Sequence, residues 1–80
     1  MTAAHEDRWV RAQRNLGRAI LNTGMTARIH DIEAHHCSVT FERNGQLFTK
    51  RKVDIATFDD QPSPRLERRV GDAKIKLGLV

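Results

Sequence analysis

Asn44-Gly45 constrains this chain more than any other feature of its sequence. A two-residue type I′ turn needs positive φ at both central positions, and Asn-Gly supplies it at least cost. The preceding segment 36–43 alternates, with Cys37, Val39 and Phe41 on one side and Ser38, Thr40 and Glu42 on the other, which is the period of a half-buried strand. A tight turn after such a strand fixes the register. Counting outward, Arg43 faces Gln46, Glu42 faces Leu47, Phe41 faces Phe48, Thr40 faces Thr49 and Val39 faces Lys50. Phe41 and Phe48 then form a cross-strand aromatic pair worth up to about 1 kcal/mol beyond Ala–Ala.

Upstream of the hairpin the period is helical. Trp9, Ala12, Leu16, Ala19 and Ile20 fall within one arc about 100° wide, and a helix is expected from His5 to about Thr23. Glu6 and Asp7 suit its positive end, and Gly24 suits the left-handed residue that commonly follows a helix. Gly17 costs about 1 kcal/mol relative to Ala, so this helix depends on packing. Thr26 to Glu33 reads as a further strand in which Ile29 and Ile32 have opposite parity and demand a bulge or bend. Val53, Ile55 and Phe58 continue the sheet to about residue 58, and residues 59–64, with two prolines, form a loop. Ala73, Ile75, Leu77 and Leu79 alternate with Lys74, Lys76 and Gly78, so 65–80 reads as a basic segment ending in a last strand.

Eighty residues allow a single domain, and a domain of this size buries only about 60% of its unfolded surface. An N-terminal helix followed by about five short antiparallel strands is an α+β pattern. It resembles the small SH3-like or Sm-like barrels, in which a strongly bent sheet closes on itself and a helix caps it. The alternative is an open layer, with the helix on one face of an antiparallel sheet. Barrels of this kind host unrelated functions, so the resemblance implies a fold and no particular activity.

Catalytic and metal chemistry find little support in the residue pattern. His30, His35, His36 and Cys37 are the only cluster of metal-type ligands, but adjacent His35 and His36 point to opposite faces of a strand, which is poor tetrahedral geometry. Cys37 has no helix N-terminus or orienting partner to activate it as a nucleophile. The carboxylates are scattered, and the five glycines are isolated, so no loop cradles a phosphate. We therefore expect a non-enzymatic protein without cofactor or metal. No stretch approaches the roughly 20 apolar residues of a membrane span, and a lone cysteine suits a reducing cytoplasm, so neither membrane nor oxidising surroundings are expected.

The charge pattern says more. The net charge is +4, yet residues 1–24 carry four Arg against Glu6 and Asp7, residues 25–60 are net −1, and residues 61–80 are net +3. Arginines outnumber lysines, and guanidinium forks suit phosphate. The expected partner is DNA or RNA, held by its backbone through Arg11, Arg14, Arg18, Arg51, Arg65, Arg68 and Arg69. With four aromatics, two of them placed in the core, base stacking is not expected. The competing expectation is a protein partner: a small adaptor or assembly subunit, self-associating or not, that uses the C-terminal strand or a helix face.

Overall fold

The computed structural model describes residues 3–60 and 63–80, with side chains from Arg8 onward. The elements are α1 (Ala3–Ala19), β1 (Thr26–His30), β2 (His36–Arg43), β3 (Gln46–Asp54), a one-turn 3-10 segment (Ile55–Phe58) and α2 (Pro64–Lys76). Asn44 and Gly45 adopt φ of 52° and 83°, and β2 pairs with β3 in the register set by that turn, from Arg43↔Gln46 to Val39↔Lys50. The Phe41 and Phe48 rings stack with centroids 6.3 Å apart. Phe41 is fully buried, while Phe48 packs on the core from the sheet edge.

β1 pairs antiparallel with β2, so β2 is the central strand of a three-stranded sheet ordered β1-β2-β3. The parity conflict between Ile29 and Ile32 is resolved by ending β1 early. Asp31 turns the chain at φ 51°, and Ile32 leaves the sheet exposed. The bulge lies in β3 instead: between Val39↔Lys50 and Cys37↔Val53 the register gains one residue on β3, and Lys52 sits at φ 56°. That extra residue returns Val53 to the core face, where strict alternation would have placed Lys52.

The barrel and its five strands are not found. The sheet has three strands and is open, and the fold is α+β with two helices. After Asp54 the chain winds into the 3-10 turn, because the Asp54 carboxylate accepts the Ala56 N–H at 2.9 Å and caps it. The expected last strand is part of α2. Leu66, Val70, Ala73 and Leu77 recur at helical spacing and are all buried, whereas Ile75 is 64% exposed. Ser63 caps this helix: its Oγ accepts the Leu66 N–H at 3.2 Å and donates to the Thr57 carbonyl at 2.9 Å. Pro64 follows as the first helical residue, where its missing N–H costs nothing. At the other end, Arg43 Nη1 donates to the Leu77 carbonyl at 2.8 Å. Gln61 and Pro62, within the expected loop, lie outside the described residues.

Both helices pack on the sheet face that carries Cys37, Val39, Phe41 and Val53. Ala12, Leu16 and Ile20 from α1 meet Leu66, Val70, Ala73 and Leu77 from α2 over that face, with Phe58 between them. α1 ends at Ala19, earlier than its apolar stripe suggests, and a turn with Asn22 at φ 65° and Gly24 at φ 85° leads into β1. Two amides tie α1 down. Asn15 Nδ2 donates to the Phe58 carbonyl at 2.7 Å, and Gln13 spans the outer edge of β1, donating to the Ala27 carbonyl and accepting the Ile29 N–H at 3.0 Å. No described helix covers the other sheet face. It is polar, and its His30 Nε2, Thr40 Oγ1 and Thr49 Oγ1 are linked across all three strands at 2.6 and 2.8 Å.

Candidate nucleic-acid interface

The basic excess of the sequence resides in two helices, and both lie in one layer. The apolar stripe of α1 must face the sheet, so its arginines take what remains of the surface. At about 100° per residue from Ala12, Arg11 and Arg18 fall on the flank that also carries Asn15 and Arg8, both bonded to the 3-10 segment and the residue after it. Arg14 falls on the crest. On α2 the residues Glu67, Gly71 and Lys74 form the flank turned toward α1, and Arg68 forms the crest. A groove of about 380 Å³ lies between these flanks, lined by Arg18 and Ala19 on one side and by Ser63, Leu66, Glu67, Val70, Gly71 and Lys74 on the other.

The expected site residues divide accordingly. Arg11, Arg14, Arg18 and Arg68 are exposed on the helix side of the molecule, and of these Arg18 lines the groove. Arg65, exposed, and Arg69, half-buried, project from the flank of α2 that faces away from α1. Arg51 belongs elsewhere. It lies at the β3 bulge and lines a separate hollow of about 390 Å³ with Asp31, Glu33, His36 and Ser38 among others. The structure also adds Lys74, which the strand reading of 73–79 treats only as an outward alternate. The helical spacing Glu67, Gly71, Lys74 is the signal that places it beside the groove.

An ion pair ties the start of this helix layer together. Arg8 grips Asp59 with both ends of its fork, Nε–Oδ1 at 3.1 Å and Nη2–Oδ2 at 2.7 Å, joining the start of α1 to the segment that leads into α2. These bonds hold the Asp59 carboxyl below its ordinary range against an opposing desolvation, and Arg11 adds a smaller pull in the same direction. Arg8 is thereby committed within the fold. Arg11, Arg14, Arg18, Arg68 and Lys74 make no ion pair among the described residues and remain available to an external anion.

The histidine and cysteine cluster does not assemble. His30 is bonded to Asp31 and Thr40, His36 lies 3.4 Å from Glu33, and no three metal-type side chains converge among the described residues. Cys37 is buried beneath β2, and burial pushes its thiol up to about 11, far from nucleophilic at neutral pH. No helix among the described residues is long and apolar enough to cross a membrane. Compared with family models, curated proteins and solved structures, the chain matches none, so its functional reading rests on its own geometry.

Proposed function

We propose that this protein is a non-enzymatic module that holds the phosphate backbone of DNA or RNA against its two-helix face. The observation that carries the reading is the packing of α1 and α2, which hold the positive excess of the chain, side by side on one sheet face with Arg18 and Lys74 bordering a shared groove. Arg11, Arg14 and Arg68 extend that surface. The four aromatic side chains offer no stacking platform here: Phe41 and Phe58 are buried, and Trp9 and Phe48 pack against the core. Contact through charge and shape, without base readout, is what such a face supports. Glu67, the one carboxylate lining the groove among the described residues, opposes it.

The reading has a quantitative test in salt. Each phosphate neutralised on B-DNA contributes about 0.9 to the slope of log affinity against log salt, so engagement of all five cations gives a slope near −4.5. Raising salt from 50 to 200 mM then weakens binding by about 500-fold. Replacing Arg14, Arg18 and Lys74 together by Gln flattens the slope by about 2.7, whereas Arg51→Gln leaves it unchanged. Fluorescence anisotropy with labelled duplexes measures both. Absence of binding at low salt, or a slope that the helix-layer triple variant does not change, refutes the proposal.

The adaptor reading loses its first route, because the C-terminal strand that would have joined a neighbouring sheet is α2.

A further inference from the structure

The two edges of the sheet are finished differently. In a two-residue hairpin the residues flanking the turn form a hydrogen-bonded pair, so Arg43–Gln46, Phe41–Phe48 and Val39–Lys50 bond across β2 and β3. Alternation then leaves β2 to bond β1 through Glu42, Thr40 and Ser38, and turns the N–H and C=O of Ala27 and Ile29 outward on β1. Gln13 satisfies that edge by donating to the Ala27 carbonyl and accepting the Ile29 N–H. By the same alternation Leu47 and Thr49 turn their N–H and C=O outward on β3. Among the described residues nothing bonds them, and Leu47 is 67% exposed. One edge is clamped and the other is open.

The charges along β3 select what an open edge can accept. Lys50, Arg51 and Lys52 follow Thr49 directly, and none of them makes an ion pair among the described residues. A second copy pairing antiparallel about the middle of β3 would set Lys50 against its own counterpart and crowd the two triplets together, and like charges across a strand pair are destabilising. Glu42 lies cross-strand from Leu47, and Arg51 and Lys52 already share a hollow with Asp31 and Glu33, so the place along this edge where added negative charge is favoured is Lys50, on the opposite face from Leu47. We propose that the β3 edge is a docking site for an extended acidic peptide segment of a partner protein, which adds as a fourth strand. Main-chain bonds to Leu47 and Thr49 hold it, an apolar side chain lies beside Leu47, and a carboxylate on the other face of the added strand lies beside Lys50.

This site is independent of the helix face, and its test separates strand addition from plain attraction between charges. The probe is a short capped peptide alternating Val and Glu, followed by amide hydrogen exchange on the intact protein. The expected result is protection of the Leu47 and Thr49 amides, with binding weakened at least tenfold by joint replacement of Lys50, Arg51 and Lys52 with Glu. A peptide of the same sequence with alternate amides N-methylated loses binding, as does the Leu47→Pro variant, which removes an outward N–H and no cross-strand bond. Equal binding of the N-methylated peptide, protection confined to other amides, or the same protection produced by a nucleic-acid duplex each overturns the proposal. The N-methylated control needs no altered protein, so a misfolded variant cannot confuse the outcome.

Discussion

Leu66 and Ile75 distinguish the helical C-terminal segment from a strand more sharply than any spectroscopic average. A strand through 73–79 would turn Ile75 inward with Ala73 and Leu77, whereas in α2 the buried stripe is Leu66, Val70, Ala73 and Leu77, and Ile75 lies on the outer crest. Leu66 is 1% exposed. Truncating it removes buried methyl and methylene groups and leaves a cavity that costs about 2–5 kcal/mol in comparable cores. A domain of this length is expected to have only about 4–12 kcal/mol in total, so Leu66→Ala removes about a sixth of the stability or more. With about 4–8 °C per kcal/mol at this size, a 3 kcal/mol loss lowers Tm by about 12–24 °C. Ile75→Lys changes a side chain already in water and stays within about 0.5 kcal/mol. Urea unfolding followed by Trp9 fluorescence measures both, since Trp9 packs against the core. If Ile75→Lys costs as much as Leu66→Ala, α2 is not packed as described and the shared helix layer falls with it.

Other perturbations address the remaining supports. Ser63→Ala removes the cap of α2 together with the bond to the Thr57 carbonyl, and is expected to cost about 1–2 kcal/mol in the same urea assay. Gln13→Ala exposes the outer edge of β1, so sedimentation should show concentration-dependent association beyond that of the wild type. Asp59, held below its ordinary range by Arg8, contributes stability above the usual carboxylate pKa and loses it as pH falls through its lowered value. The stability difference between wild type and Asp59→Asn therefore shrinks on acidification, and it is small throughout because the pair is exposed to solvent and salt. Cys37 titrates the other way: its thiol stays protonated in the fold up to about 11, so stability falls as pH rises from about 9 toward 11. Replacement by Ala or Ser should remove that alkaline decline, and thiol reagents at neutral pH should label the chain only as fast as it unfolds.

What was legible in the sequence was local. Asn44-Gly45 fixes its own dihedrals and the pairing beside it without reference to the rest of the chain, and that register appears in the structure from Arg43↔Gln46 to Val39↔Lys50. It stops at Lys52, because a bulge leaves no sequence mark apart from a charged residue where an apolar one is due. α1 was legible through its apolar stripe, although the stripe runs one residue beyond the helix to Ile20 and so overstates its length. The C-terminal segment reads as a strand, where the chain has α2, because Ala73 and Leu77 belong to both periods. Over seven residues alternation and a helical stripe share those two positions, and only the extension back to Leu66 and Val70, with Ser63-Pro64 ahead of them, separates the two patterns. Closure of the sheet was illegible for the same reason, since the barrel needed a strand where the chain has a helix.

The charges could be counted in the sequence, but their meeting depends on tertiary packing. An amphipathic helix can place arginines anywhere except its buried stripe, so Arg11, Arg14 and Arg18 form a surface whatever α1 packs against. Whether α2 extends that surface depends on which sheet face it covers. The central strand decides the matter. Cys37, Val39 and Phe41 give β2 one apolar face, and Ser38 and Thr40, tucked under neighbouring side chains and with Thr40 bonded to His30 and Thr49, give it a polar one that no helix needs to cover. Two helices with apolar stripes and one apolar sheet face must share it. The same argument removes Arg51 from the interface: its outward parity on β3 places it across the sheet from α1 and α2, beside Asp31 and Glu33, whose carboxylates repel a polyanion.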